Sequence, residues 1–98
     1  MTAWIIVSAK ISDREKFVSG YGVAAAKLVA QFGGRYVIRA PGAEMLEGEG
    51  WDGASVVVSE WPDKAAARAF WNSPEYAEVK KLRDGLAECS ILLVGDGD

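Results

Sequence analysis

The sequence predicts a single α+β domain in which a four-stranded antiparallel sheet carries helices on one face. Two observations carry this prediction. Runs rich in Val, Ile and Trp alternate with runs of helical periodicity in the order β-α-β-β-α-β, and the second helical run is broken in two. No linker, repeat or low-complexity segment divides residues 1–98, and this length is typical of one domain.

Composition argues against several classes of site and partner. The chain has one Cys and no His, so we expect no disulfide framework, no Cys-based zinc or iron–sulfur site and no His-ligated haem. The net charge of −3 argues against a nucleic acid or an anionic membrane as partner. No apolar run approaches the roughly 20 residues of a membrane span, and no basic stretch precedes the first apolar run. We therefore expect a cytoplasmic protein without metal or cofactor.

The first strand leads into a helix with a recognisable start. Ala3–Lys10 is rich in Trp, Ile and Val, as strands are. Ser12 and Glu15 have the spacing of a capping box, in which both side chains satisfy free amides of the first helical turn. The apolar stripe that follows has three- and four-residue spacing and consists of Phe17, Tyr21, Ala24, Leu28 and Phe32. We predict a helix after Ser12 that ends near the last of these.

Glycines mark weak points and the end of this helix. Gly20 and Gly22 lie inside the apolar stripe, and each weakens a helix by up to ~1 kcal/mol relative to Ala. Gly33 and Gly34 follow the stripe, and Gly readily adopts the left-handed backbone that ends many helices.

The second strand is predicted from alternation. Within Arg35–Ala40, Tyr36 and Ile38 should share one face of the sheet, because side chains in a strand alternate between faces. Arg35 and Arg39 should share the other face.

A turn-rich segment separates the second strand from the third. Glu44–Glu47 is a candidate extension of an edge strand, and residues 48–53 form a Gly-rich loop. Ala54–Trp61 has the composition of the third strand, and a Pro-Asp pair follows it.

The second helical unit has two parts. Lys64–Trp71 is a short Ala-rich helix. Ser73 and Pro74 then have the types preferred at the N-cap and the first helical position of a new helix. The buried stripe of this second part is predicted to be Tyr76, Val79, Leu82 and Leu86. Cys89–Val94 is the last strand.

This element order predicts the ferredoxin-like arrangement, because right-handed crossovers place both helical units on one face of the sheet. Both faces of the predicted strands are apolar: Trp4 and Ile6 oppose Ile5 and Val7, Val56 and Val58 oppose Val57 and Trp61, and Leu92 and Val94 oppose Ile91 and Leu93. Helices can cover only one face, and the other would be a larger apolar patch than a soluble monomer normally exposes. We therefore predict a homodimer in which two sheets pack face to face, a dimeric α+β barrel.

Aromatic residues are candidates to line a ligand cavity between helices and sheet. They are Tyr21, Trp61, Trp71 and Tyr76. Small-molecule pockets are mostly apolar with a few polar groups, and a buried phenol needs a hydrogen-bond partner that a ligand can supply. The alternative for each of the four is a position in the core.

Arginines are the candidates for binding a carboxylate on such a ligand. Arg35, Arg39 and Arg83 are the three considered, and Arg83 follows Tyr76 by seven residues, which places both near one helix face. A surface salt bridge is the alternative for each. The acidic residues between 44 and 52 predict a solvated turn rather than a metal site, because their spacing fits no metal-binding loop.

Several short segments together carry a family resemblance: Tyr21, Phe32-Gly33-Gly34-Arg35, Leu46-Glu47-Gly48, Glu60-Trp61-Pro62, Ala65-Ala66, Trp71, Ser73-Pro74-Glu75-Tyr76 and Arg83. They resemble domain-of-unknown-function family 1330, a group within the dimeric α+β-barrel superfamily, over nearly the whole chain. Trp61 stands where the family often has Phe. The resemblance implies the ferredoxin-like fold and the homodimer, but it brings no established reaction.

Three functions stay open from the sequence. Related groups of the superfamily include cofactor-free monooxygenases, small isomerases and haem-dependent peroxidases. The first function is therefore that of a cofactor-free enzyme acting on a small organic molecule. Tyr21, Tyr76 or Glu60 would move a proton in its reaction. The second is a non-catalytic dimer that binds a small molecule, and the third is a structural or interaction module with a filled core. A cavity on the order of a few hundred Å³ would favour the first two. A converging acid–base pair would favour an enzyme.

Overall fold

The computed structural model describes residues 2–96. The elements follow in the order β1 (Ala3–Ile11), α1 (Arg14–Lys16), a π-helical segment (Phe17–Gly22), α2 (Val23–Gln31), β2 (Arg35–Ala40), β3 (Ser55–Trp61), α3 (Lys64–Trp71), α4 (Pro74–Lys80), a 3₁₀ turn (Lys81–Arg83) and β4 (Ala87–Gly95). The predicted order of strands and helices is confirmed. No helix within the described residues is long and apolar enough to cross a membrane.

The four strands form one antiparallel sheet in the order β2-β3-β1-β4. This is the strand order of the ferredoxin-like fold, so the predicted fold class is confirmed. In the register of the sheet, Ile5 stands between Ser59 and Leu93. These residues belong to the face that the helices cover, which we call the inner face.

β2 departs from the alternation that its sequence predicts. Its pairing with β3 shifts register between Tyr36 and Ile38, so Val37 is the extra residue of a β-bulge. One extra residue moves every following side chain to the opposite face. The prediction that Tyr36 and Ile38 share a face was therefore wrong. Tyr36 and Arg39 lie on the inner face, opposite β3 residues of that face, and Ile38 lies on the other.

The first helix starts one residue later than the capping box predicts. Asp13 is the N-cap, and its carboxylate accepts a hydrogen bond from the Lys16 amide at 3.1 Å. Ser12 does not cap the helix. Its amide and its hydroxyl both donate to the Leu86 carbonyl, at 2.8 and 3.0 Å, and so join the end of β1 to the residue before β4.

The helix that follows is interrupted by the π-helical segment Phe17–Gly22. Gly20 and Gly22, the two residues expected to weaken the helix, both lie in this segment. A π-helical turn inserts one residue into the helix and is often found beside functional sites. Tyr21 lies between the two glycines. After the helix ends, Gly33 has a φ of 90°, the left-handed conformation predicted there.

The cap of α4 is the one that its sequence predicts. Ser73 Oγ accepts a hydrogen bond from the Tyr76 amide at 3.0 Å, and Pro74 occupies the first helical position. The predicted buried stripe is shorter than expected. Leu82 is 48% exposed, because α4 ends at Lys80 and a tighter 3₁₀ turn carries the chain away from the helical phase.

The connection from β2 to β3 contains no strand, so the predicted extension over Glu44–Glu47 was wrong. The Met45 amide donates instead to the Asp52 carboxylate at 3.0 Å. A loop closed by this local hydrogen bond needs no partner strand to satisfy that amide.

The core lies between the inner face and the helices. Its buried members are Ala3, Ile5, Leu28, Val29, Trp61, Ala67, Phe70 and Tyr76. Trp61 is only 1% exposed, its indole N–H donates to Ser59 Oγ at 2.9 Å, and its ring lies 5.0 Å from the Phe70 ring. Burial of so large a side chain makes Trp61 the main apolar anchor of the sheet to α3.

The opposite side of the sheet, which we call the outer face, is also apolar. Its middle row crosses all four strands, with Ile38, Val58, Ile6 and Leu92 opposite one another. Trp4, Val56 and Val94 extend this surface on either side of the row. Ile38 and Leu92 are 48% and 50% exposed. The prediction that both faces of the sheet are apolar is confirmed.

Candidate functional site

A cavity of about 520 Å³ lies between the helical run that begins at Arg14 and the inner face of the sheet. β1, β3 and β2 form its floor, and the π-helical segment and α2 form its roof. α3 packs closely on the sheet beside it. The space therefore remains under the first helical run, where the glycine-containing π-helical segment crosses the sheet.

Aromatic side chains form much of the cavity wall. They are Phe17, Tyr21, Tyr36, Phe70, Trp71 and Tyr76. The hydroxyl oxygens of Tyr21 and Tyr76 are 2.8 Å apart, within hydrogen-bond distance, although the two residues are 55 positions apart in the chain. Tyr21 comes from the π-helical segment and Tyr76 from the first turn of α4. The wall thus joins the two helical units through a pair of phenols.

Burial changes the acidity of two of these phenols. Burial raises the pKa of Tyr21 well above its ordinary value of 10.0, and the neighbouring Tyr76 adds to the effect, while Arg83 opposes it. Burial likewise raises the pKa of Tyr36, and Arg39 opposes that shift. A raised pKa keeps a phenol neutral, so at neutral pH both residues are hydrogen-bond donors and not bases. The stability that the two buried phenols, Tyr21 and Tyr36, give to the folded state is fully present below pH 10.0. It falls as the pH rises above this value, because the unfolded chain then releases protons that the folded chain retains.

Cationic side chains line the cavity where β2 and α1 border it. Arg39 lies over the Tyr36 ring, with its guanidinium carbon 4.9 Å from the ring centroid. Arg14 donates a hydrogen bond to the Ser55 hydroxyl, and Lys27 also borders the cavity. Of the Asp and Glu residues in the described part of the chain, none lines it. The polar side of the cavity is therefore positive.

The structure brings three predicted site residues together and leaves a fourth in the core. Tyr21, Trp71 and Tyr76 all line the cavity, with the Trp71 and Tyr76 rings 5.0 Å apart. Trp61 packs behind this wall, against Phe70, and does not border the cavity. Trp61 therefore occupies a core position, the alternative considered for it from the sequence.

Arg35 and Arg83, the other two predicted site residues, do not line the cavity. Arg35 lies on the outer face, where its Nη2 is 2.8 Å from Glu60 Oε1, so it forms the surface salt bridge considered as its alternative. This ion pair also places Glu60 away from the cavity. The Arg83 guanidinium carbon is 5.6 Å from the Tyr21 ring centroid, so Arg83 lies over Tyr21 without bordering the cavity. Its Nε is buried and has no hydrogen-bond partner among residues 2–96.

Sequence reasoning missed Arg14, Tyr36 and Ser55 as lining residues, and it placed Arg39 on the wrong face. Arg14 carried one usable signal, its position directly after the N-cap Asp13 and three residues after the end of β1. Arg39 was one of the three arginines considered for a carboxylate, but no local signal placed it on the inner face, because the Val37 bulge that turns it inward is defined by pairing with β3.

Solved structures with this fold come from several bacteria. A protein of unknown function from Rhodopseudomonas palustris is 19% identical, with a TM-score of 0.75 over 99% of this chain and 83% of that one. SnoaB from Streptomyces nogalater, a cofactor-independent oxygenase, is 16% identical, with a TM-score of 0.71 over 99% of this chain and 94% of its own. A dimeric ferredoxin-like protein of unknown function from Jannaschia sp. CCS1 is 10% identical, with a TM-score of 0.69 over 97% and 99% of the two chains. Identities this low show a common fold.

Family membership follows from the sequence itself. Among curated proteins, none matches the chain significantly. The family model for the domain of unknown function DUF1330 matches residues 2–96, which is nearly the whole length and includes the cavity-lining Tyr21, Trp71 and Tyr76. The resemblance noted from the sequence is thereby confirmed, and the chain belongs to the DUF1330 family.

Proposed function

We propose that this protein binds a small, largely apolar organic molecule in the cavity between the first helical run and the inner face. The observation that carries this proposal is the cavity of about 520 Å³, a size within the range of small-molecule sites. Protein interiors are normally packed with few voids, and a chain this short has little core to spare. A module with a filled core, the third possibility from the sequence, has no use for such a space.

Filling the cavity from the helix side tests this proposal. Ala26 of α2 lines the cavity, so Ala26→Phe should occupy part of it and abolish binding of any ligand seated there. Thermal denaturation in the presence of a library of small organic molecules should give compounds that raise the Tm of the wild type, because a ligand stabilises the state that binds it. The same compounds should not raise the Tm of Ala26→Phe.

The matched control is Ala30→Phe, which adds the same ring to the exposed side of the same helix. It should keep every thermal shift of the wild type, and circular dichroism of both variants should confirm that they fold. A library without a single stabilising compound would contradict the proposal, as would compounds that stabilise Ala26→Phe and the wild type equally.

We infer further that the working assembly is a homodimer joined through the outer face. The apolar row across all four strands supports this, since its two ends, Ile38 and Leu92, are about half exposed in the isolated chain. In a two-fold dimer this surface packs against the same surface of a second copy, and the apolar side chains of both are removed from water. A dimer contact through the outer face also leaves the cavity unobstructed, because the cavity lies on the inner side of the sheet.

A second candidate function is cofactor-free oxygenation, favoured by the tyrosine pair and by the fold shared with SnoaB. In such a reaction an acidic C–H group of the substrate releases its proton to solvent, and the carbanion adds O₂. The resulting peroxide anion takes a proton from the Tyr76 hydroxyl, and the tyrosinate regains from solvent the proton that the C–H group released. Loss of water from the hydroperoxide then leaves a ketone, so that one O₂ is consumed and one water is released for each CH₂ oxidised. The cationic side of the cavity would stabilise the carbanion.

Oxygen uptake distinguishes this reaction from binding alone. We expect aryl ketones with an acidic methylene group to consume O₂ in the presence of the wild type if the protein is such an oxygenase. Tyr76→Phe keeps the ring that packs on Trp71 but removes the hydroxyl, and it should slow uptake by about 100-fold, in the range for loss of a general acid. Arg35→Gln, outside the cavity, should leave the rate unchanged. No uptake with any of these ketones would leave binding as the function.

A further inference from the structure

We propose that the cavity ligand is an aromatic monocarboxylate, with its carboxylate held by Arg39 and Arg14 and its ring against the aromatic wall. This inference rests on the proposed binding function and names the chemical class of the ligand. It follows from where the sheet register places charge and aromatic surface along one cavity.

The pairing of β2 with β3 determines the order in which side chains follow one another along the cavity floor. Tyr36 stands opposite Ser59, and Arg39 stands opposite Val57, two residues further along the inner face. Arg14 bonds to Ser55, two residues further again. A strand advances about 3.3 Å per residue, so the floor runs about 13 Å from the row of Ser59 to Ser55. The rows of Arg39 and Arg14 thus lie about 7 and 13 Å from the row of Ser59. Arg39 also stacks on the Tyr36 ring, so cationic groups and aromatic surface adjoin along one floor.

The aromatic wall is tied to the Ser59 row by packing. The Phe70 ring is 5.0 Å from Trp61, whose indole bonds to Ser59, and it is 4.8 Å from Tyr76. Phe70 and Tyr76 both line the cavity, so this part of the wall presents ring surfaces. Flat apolar groups pack well against such rings in offset or edge-on arrangements.

The cationic groups of the floor have no acid of their own. Neither Arg14 nor Arg39 forms an ion pair within the described residues, and none of the Asp and Glu residues described lines the cavity. The chain as a whole carries 14 acidic residues against 11 basic ones, so two arginines left without acids on one wall stand out against the composition. Guanidinium groups bind carboxylates with strong, directional hydrogen bonds. Both Arg14 and Arg39 are exposed in the single chain, so the carboxylate is held where the cavity meets solvent.

The β-bulge is the device that places one of these arginines at the cavity. Without Val37 as an extra residue, Arg39 would lie on the outer face beside Arg35. The bulge turns Arg39 inward, and it turns Ile38 outward at the same time. One irregularity therefore supplies both a cation to the cavity and an apolar residue to the outer face.

A matched pair of probes tests the charge requirement. Naphthoate and naphthamide have the same shape and rings, but only naphthoate carries a carboxylate. Isothermal titration calorimetry with the wild type should show naphthoate binding at least about tenfold more tightly than naphthamide. Arg39→Gln should weaken naphthoate binding by about tenfold and leave naphthamide binding unchanged, and Arg14→Gln should act in the same way. Arg35→Gln, which removes a cation from the outer face, is the control and should change neither.

Each outcome decides between the two proposals. Equal affinity for the two probes, or an Arg39→Gln variant that binds naphthoate as well as the wild type does, overturns the carboxylate assignment while the proposed binding function stands. If neither probe binds, the assignment to aromatic acids is wrong, and the thermal-shift library with Ala26→Phe then decides the binding function separately. Loss of both probes in Ala26→Phe, with the charge preference of the wild type intact in Ala30→Phe, supports both.

Discussion

Replacing Leu92 with aspartate is expected to dissociate the proposed homodimer into monomers. Leu92 ends the apolar row that also contains Ile38, Val58 and Ile6, and it is 50% exposed in the single chain. Leu92→Asp therefore costs the subunit itself little. In a two-fold dimer, however, it places two unpaired carboxylates in the interface, where burial of a charge is strongly unfavourable. Sedimentation equilibrium should show the dissociation constant rising by at least about 100-fold.

The control for this variant is Leu46→Asp. Leu46 lies in the loop between β2 and β3 and is 90% exposed, so the same substitution there adds a charge without touching the sheet. The Leu46→Asp variant should stay dimeric. A wild type that sediments as a monomer at micromolar concentration would refute the proposed assembly, and so would a Leu92→Asp variant with the wild-type dissociation constant.

Substituting Gly34 with alanine is expected to destabilise the fold by about 2–3 kcal/mol. A Cβ atom at Gly34 would lie 2.7–2.8 Å from three ring atoms of Trp61, closer than carbon atoms can approach. Trp61 has no room to retreat, because its ring is buried against Phe70 and its indole N–H is bonded to Ser59. Either the ring or the start of β2 must shift. Denaturant unfolding followed by tryptophan fluorescence should measure the loss.

Gly20→Ala is the comparison that isolates the clash. A Cβ atom at Gly20 meets nothing within 4 Å, and alanine is the better helix former, so stability should stay the same or rise slightly. If Gly34→Ala proves as stable as Gly20→Ala, then the close approach of the backbone to Trp61 does not determine the residue at position 34.

The elements that could be predicted from the sequence are those whose signals are local. Ser73 and Pro74 start α4 because an N-cap hydroxyl and a proline act on the amides next to them. Gly33 ends the first helical run because its own φ is positive. The ferredoxin-like fold followed from the order of such elements and from the apolar pattern of β1, β3 and β4. Even here the helix start moved by one residue, since Ser12 bonds to Leu86, which is distant in the chain.

The residues of the candidate site also divide into those that local signals predict and those that depend on tertiary packing. Tyr21, Trp71 and Tyr76 could be predicted because aromatic residues on the inner sides of helices point toward the sheet in any packing. Trp61, at the end of β3, was a candidate for the same cavity and lies in the core, because the choice between core and cavity wall depends on how far the helices stand from the sheet. Alternation placed Arg35 and Arg39 on one face, and the bulge at Val37 separates them, so that Arg39 lines the cavity and Arg35 lies on the outer face.

By itself, the sequence determined the order of the elements, the N-cap of α4 and the apolar character of both faces of the sheet, because each of these depends on residues that are neighbours in the chain. Only the tertiary structure decided that a space remains under the first helical run, that Tyr21 and Tyr76 meet across it, and that Arg39 points into it. These depend on the register between β2 and β3 and on the distance between helices and sheet. Register and distance are set by the packing of residues far apart in the chain, and no local pattern encodes them.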